Sequence, residues 1–256
     1  MLLVLCPLND AHALWFAEQA RADGRRCTVL PTEKLSFPRR RSHRLGGGGG
    51  SVPRTVIELT DGTVVDGARV TGVLNRMVTP PADAWQHAAE AERAYATAEL
   101  HAFSLSWLAA LSCPVRNRPT PQCLAGPAPD PLRCWAAAQA SGLLCSPVRA
   151  GTRAPWHPAE SVLAGARHAA GPSARPVHAV CLDGAVLTPD VPARVAAGVA
   201  ALCAAIGADR SLFGVDFLVD GEGSWRYAGT TPIPDLQAGG HRLYRLLIGA
   251  LGQRWP

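Results

Sequence analysis

Near the C-terminus, one aspartate stands inside an otherwise apolar extended run, "FGVDFLVDGEGSWRYAGTTPIPDL". Val215, Phe217 and Val219 alternate with Asp216 and Leu218. Asp220-Gly-Glu-Gly223 then supplies turn chemistry, and "SWRYAG" resumes the extended pattern, so the stretch reads as a hairpin. An acid in such a strand is a metal ligand or a capping partner, and its neighbours decide which. Asp220 and Glu222 cannot share an ion with it. Four residues of strand span about 13 Å, whereas Mg²⁺ takes its oxygens at about 2.1 Å.

Other chemistries are poorly represented. The eight cysteines form no CxxC and mostly sit in apolar contexts such as "VLC" and "ALCAA", which reads as buried free thiols rather than a disulfide framework. The eight histidines form no HxxxH or HxH pair, so a structural zinc site is not expected. No GxGxxG follows the first apolar run, where "CPLNDAH" stands instead, and this argues against a Rossmann-type dinucleotide enzyme. Arg76 ends a buried strand, a place where ligands collect in open α/β sheets, and is equally readable as a surface ion-pair partner. Asn117 is readable as the cap of its own turn.

The net charge of +5 comes from arginine, since Lys34 is the only lysine, and is not read as a nucleic-acid signal. One concentration exists, "PRRRSHRLGGGGGS" at 38–51. It is expected to be a mobile loop, solvated or able to hold an acidic peptide or phosphate. With 48% hydrophobic and 18% charged residues the chain has a globular balance. It contains no run of about 18 apolar residues. The start lacks a basic n-region and carries Asp10 early, so neither a membrane span nor a signal peptide is expected, and the cytoplasm is the expected location.

The elements that must position these residues follow from periodicity. "LLVLC", a helix from Asp10 to Gly24 and "CTVLP" make a β-α-β unit. "IELTDGTVV" is a hairpin, and a buried strand ends at Arg76. A long helix is expected over 83–112, with Tyr95, Ala98, Ala102, Leu105 and Leu108 on its apolar face. "CPVRNRPTP" is a short strand and turn. Asp130-Pro131 opens a helix that Gly142 ends. Residues 148–174 show almost no periodic apolar core and hold at most one short helix. A hairpin around Asp183-Gly184, a helix with Val195, Val199, Leu202, Cys203 and Ile206 on one face, the Asp216 hairpin and a closing helix complete the chain.

This order of pieces resembles the ATP-grasp superfamily, closest to the RimK-like and microviridin-type peptide ligases. "DAHA" with "DGRRCTVLPTEKL", then "LTDGTVVDGARVTGVLNRMVTPP", then "VRNRPTPQCLAGPAPDPLRCWAAAQASGLLCSPV", and last "VAALCAAIGADRSLFGVDFLVDGEGSWRYAGTTPIPDL" carry the likeness, over about three-quarters of the chain. It implies an α/β fold, with a Rossmann-like pre-ATP-grasp domain at 1–115 followed by a shortened ATP-grasp-like α+β domain at 116–256. In that family ATP phosphorylates a carboxylate, which an amine then attacks. Mg²⁺ ions on hard oxygen ligands and a cationic, Gly-rich roof manage the triphosphate charge.

The resemblance puts Asp216 at the family's first metal ligand, Gly229 at a glutamate ligand and Thr231 at an asparagine. Arg133 stands at a helix-leading lysine, where arginine still binds phosphate with a different shape and reach. Arg133 and Thr231 are thus candidate nucleotide contacts, and Arg76, Asn117 and Asp235 candidate substrate contacts, Asp235 also being the nearest replacement for the missing acid. Residues 148–174, with Arg149, Arg153 and Arg167, look too short for the roof. The expected function is a reduced, non-catalytic ATP-grasp-fold protein that binds or scaffolds a peptide or an active ligase. The other reading is an active ATP-dependent carboxylate–amine ligase. ATP and Mg enter by the resemblance alone. Neither nucleic acid nor membrane is expected as a partner, and a homo-oligomer is left open.

Overall fold

The structure is a computed structural model that describes residues 1–46, 53–148 and 158–252. The chain divides into two compact units, Met1–Gly126 with Tyr244–Pro256, and Pro127–Leu243.

In the first unit, β1 (Leu2–Cys6), β2 (Cys27–Pro31), β6 (Gly72–Asn75) and β7 (Val115–Arg116) form a parallel sheet in the order β2-β1-β6-β7. All five residues of β1 are buried, as a central strand covered on both faces requires. The crossover from β1 to β2 is α1 (Ala11–Ala22), capped by Asp10, whose Oδ1 accepts from the Ala13 amide at 3.0 Å. An antiparallel sheet, β3-β4-β5, is built from β3 (Pro38–Arg44), β4 (Arg54–Leu59) and β5 (Val64–Asp66).

Three expectations need correction here. Residues 38–44 of the basic stretch are strand β3, not loop; residues 47–51 lie outside the described residues. Arg41 and His43 point inward to hold that strand. The Arg41 guanidinium carbon lies 4.6 Å from the Phe103 ring centroid, its Nη2 donates to the Leu35 carbonyl at 2.6 Å, and the His43 ring bonds Thr55 and Ser106 at 2.7 and 2.8 Å. The long helix, α2 (Glu90–Ala109), starts later than 83, after a 3₁₀ turn at Asp83–Trp85. Its buried stripe is Ala96, Ser104, Trp107 and Leu108, whereas Tyr95 is 69% exposed and Ala98 and Ala102 face solvent. Alanine marks neither face, so the two stripes are close to indistinguishable in sequence.

In the second unit, β8 (Arg175–Leu182), β9 (Ala185–Val186), β10 (Leu212–Val219) and β11 (Trp225–Thr231) form an antiparallel sheet in the order β11-β10-β8-β9. Phe213, Val215, Phe217 and Tyr227 join one core with side chains of α3 (Pro131–Ala140) and α5 (Ala193–Ala205). The third correction concerns 148–174, which holds a 13-residue helix, α4 (Pro158–Ala170). Its Ala166 and Ala170 pack on Leu218 and Ala228. Val162 and Leu163 are its only larger apolar contacts among the described residues, and the alanines beside them give a periodicity search little to respond to. The last helix is α6 (Gly240–Ala250).

Candidate functional site

Strand register places the central residues. Asp216 on β10 pairs with Gly229 on β11 and with His178 on β8, and Gly214 pairs with Thr231. Residues directly opposite in an antiparallel pair share a face, so Asp216, His178 and Gly229 look out together. A bulge follows Asp216, and Ala228 is the extra residue that bends β11 there. The side chain of Asp216 is 32% exposed and that of His178 is 48% exposed; the imidazole Nδ1–H donates to Asp216 Oδ1 at 2.6 Å. Opposite Asp216, a Cβ built on Gly229 would lie 3.7 Å from Asp216 Oδ2, an ordinary contact, so the glycine leaves room for a side chain.

These residues line a cavity of about 450 Å³. Its walls are largely apolar, with Leu163, Leu218 and Ala228 among them, and its charged or titratable groups include Asp216, His178, Glu160 and Arg167, with Thr230 and Tyr227 also on the wall. Glu160 and Arg167 come from α4, so the helix that covers one part of the sheet face also supplies charge to the cavity. Burial beside the cavity raises the Tyr227 hydroxyl well above its ordinary pKa, with negative charge at Cys134 adding to the effect.

The other sequence-derived residues are placed elsewhere. Arg133 is exposed on the first turn of α3, where its amide donates to Asp130. Thr231 Oγ1 accepts from the Ile233 amide at 3.2 Å, and Asp235 Oδ1 caps the next turn through the Gln237 and Ala238 amides. Among the described residues that line the cavity, none of these three is found. Arg149 and Arg153 lie outside the described residues.

Arg76 and Asn117 belong to the first unit. Arg76 is 2% exposed, with Nε 2.6 Å from Asp10 Oδ2 and Nη2 3.1 Å from Oδ1. The surface ion pair expected as an alternative for Arg76 is therefore a buried one. It lies beyond the carboxyl ends of β1 and β6, the place where the order of a doubly wound sheet switches and a ligand crevice normally opens. Asn117 is also buried. Its carbonyl accepts from Asn75 Nδ2 at 2.8 Å, and Gly126, at φ 105°, lets the chain pass so close that a Cβ there would meet Asn117 Cβ at 2.5 Å. The turn is thus held from Asn75.

Sequence reasoning missed His178 and placed Arg167 in a stretch with almost no periodic core; Arg167 is exposed, but on helix α4 and at the cavity wall. The signal for His178 was available in "RPVHAVCL", where it holds the alternation position that antiparallel pairing sets beside Asp216. For Arg167 it was not, because the helix carrying it has no large apolar stripe. Among the described residues no group of three or more His, Cys, Asp or Glu side chains converges as a metal cage. All eight cysteines are free, and among the described residues no helix is long and apolar enough to cross a membrane.

The pairing of a parallel α/β unit with this antiparallel, helix-backed sheet is the fold of the ATP-grasp ligases. The macrocyclase MdnC of Microcystis aeruginosa MRC, solved with its precursor peptide MdnA, matches at a TM-score of 0.67 and 12% identity, over 99% of this chain and 100% of MdnC. The ATP-grasp ligase PsnB, solved with a phosphomimetic variant of its minimal precursor, Mg and ADP, matches at 0.60 and 16%, over 97% and 98%. A RiPP-associated ATP-grasp ligase of Chryseobacterium gregarium, in complex with ADP and a leader and core peptide, matches at 0.53 and 8%, over 95% and 90%. No family model matches the chain, and no curated protein does.

Proposed function

We propose that this chain is an ATP-grasp-fold protein that binds a peptide and does not turn over ATP. One observation carries the second half: Gly229 stands directly opposite Asp216, and the Asp216 carboxylate is engaged by an imidazole. Mg²⁺ demands hard oxygen ligands in near-octahedral array and surrenders its water reluctantly. Asp216 alone, with one oxygen already bonded to His178, does not fit that demand. Glu160 and Arg167 at the cavity wall are of opposite sign, so their charges do not add into a phosphate cradle. The largely apolar remainder suits a side chain or an organic group better than a triphosphate. The peptide half of the reading is supported by neighbours of this fold that are solved with precursor peptides.

A second reading, an active carboxylate–amine ligase, is favoured by the end-to-end span of those ligases. Calorimetric titration with a non-hydrolysable ATP analogue, with and without Mg²⁺, separates the two. The proposal expects no Mg²⁺-dependent binding. Tight binding that needs Mg²⁺ and disappears in Asp216→Ala establishes the ligase reading instead.

A further inference from the structure

The basic stretch has no part in the site described so far. As strand β3 it ends a three-stranded sheet, and among the described residues nothing pairs with its outer edge. Pairing with β4 sets Arg40 opposite Glu58, Ser42 opposite Val56 and Arg44 opposite Arg54. These residues, with Val64 of β5, line an open groove of about 270 Å³ on the sheet's outer face. The acids of that face already have cations: Glu58 has Arg39 at 3.3 Å, and Asp66 has Arg54 at 2.8 Å. Arg40 and Arg44 are exposed and make no ion pair among the described residues. Arg44 is set directly against Arg54, whose charge Asp66 already answers, so Arg44 is left as the unanswered cation of that rung. On the inner face Arg41 and His43 are fixed by Phe103, Leu35, Thr55 and Ser106, so the edge is held rigidly with its cations outward.

From this we infer that β3 is a docking edge for an extended acidic peptide segment, which adds as a fourth strand and sets carboxylates four residues apart, on one face, against Arg40 and Arg44. An unpaired edge offers backbone N–H and C=O groups in the spacing only a strand can match. Side chains of an added strand that share the groove's face recur every second residue, about 7 Å apart. Arg40 and Arg44 stand two such repeats apart, about 13 Å, with Ser42 between them, so the peptide reads as acid-x-x-x-acid, and its composition alone is not enough. Charge complementarity selects the occupant, since the groove's unneutralised charge is positive. The inference rests on the peptide-binding reading and names the chemistry of the peptide. Charged residues on an edge also discourage edge-to-edge aggregation, and that role predicts no bound peptide.

The test begins with short random peptides displayed on phage and selected on the full-length protein, then measures fluorescence anisotropy with a labelled Glu-Val-Glu-Val-Glu peptide. Expected are selected sequences with acids four residues apart and a labelled peptide that binds. A Glu-Glu-Glu-Val-Val isomer should bind more weakly, and N-methylation of the backbone should abolish binding. Arg40→Ser with Arg44→Ser should weaken binding about tenfold, with recovery in Arg40→Lys with Arg44→Lys. Equal binding of both isomers, or equal competition by single-stranded DNA together with indifference to N-methylation, makes the groove a general polyanion surface and overturns the inference. If the selected peptides are not acidic, or ignore the serine variants, the edge fails while the peptide-binding reading stands. If no peptide is selected and none binds, both fail.

Discussion

Replacing Asp10 with alanine should be among the most damaging single changes in the first unit. Two functions end together. The Asp10 carboxylate caps α1 through the Ala13 amide, and it holds the buried Arg76 guanidinium through two contacts, at 2.6 and 3.1 Å. Loss of an N-cap costs about 1 kcal/mol. Breaking a buried pair by removing one partner costs about 3–5 kcal/mol, because the remaining buried charge loses its counter-charge. Arg76 is 2% exposed and cannot reach solvent without local rearrangement. Asp10→Ala should thus lose about 4–6 kcal/mol, a large part of the 5–15 kcal/mol typical of a domain. Asp10→Asn keeps the cap and a hydrogen-bond acceptor and should lose about 2–3 kcal/mol. Asp10→Ala combined with Arg76→Met removes both charges, and most of the loss should return, leaving a coupling of about 3 kcal/mol in the double-mutant cycle. Urea unfolding followed by circular dichroism and tryptophan emission measures wild type, Asp10→Ala, Asp10→Asn, Arg76→Met and the double variant. A loss below about 1 kcal/mol in Asp10→Ala, or additive single losses, refutes the buried-pair reasoning.

Further outcomes follow from other contacts. Gly72→Ala would bring a Cβ to 2.5 Å from the Leu251 carbonyl oxygen, backbone that cannot easily yield, and should cost about 1–3 kcal/mol in thermal unfolding. Arg41→Ala loses the Phe103 and Leu35 contacts and should cost about 1–3 kcal/mol, while Arg40→Ala on the outer face should stay within about 0.5 kcal/mol. Equal effects at 40 and 41 would mean that β3 is not oriented as described. Burial, helped by the hydrogen bond to Asp23, pushes Tyr244 from its ordinary 10.0 up to about 12. The folded chain then keeps a proton that the unfolded chain gives up, so stability falls as pH rises between about 10 and 12. Tyr244→Phe should flatten that fall relative to wild type in melts across the same range, and an unchanged slope would remove Tyr244 as its cause.

Local signals carried much of this architecture. Asp10 and Asp130-Pro131 announced two helix starts through capping chemistry, and Asp183-Gly184 and Asp220–Gly223 announced two hairpins. These features depend on a few neighbouring residues. What failed depended on distant ones. Arg41 and His43 look like loop residues until α2 brings Phe103 and Ser106 beneath them, and the packing face of α4 is half alanine, with Ala166 and Ala170 beside Val162 and Leu163. The candidate site followed the same division. Asp216 stood out as an acid among apolar residues, and its opposition to Gly229 could be read from hairpin spacing. His178 is 38 residues away and reaches Asp216 only because β8 joins the far edge of β10. The buried state of Arg76 likewise required knowing that β1 and β6 are neighbours.

The central claim, a peptide-binding ATP-grasp fold without turnover, is tested most directly by phosphate release from Mg-ATP by the purified protein in the presence of the peptides it retains. The account predicts release at background level, indistinguishable from Asp216→Ala. Sustained, Mg²⁺-dependent release that the peptides stimulate and Asp216→Ala abolishes contradicts it.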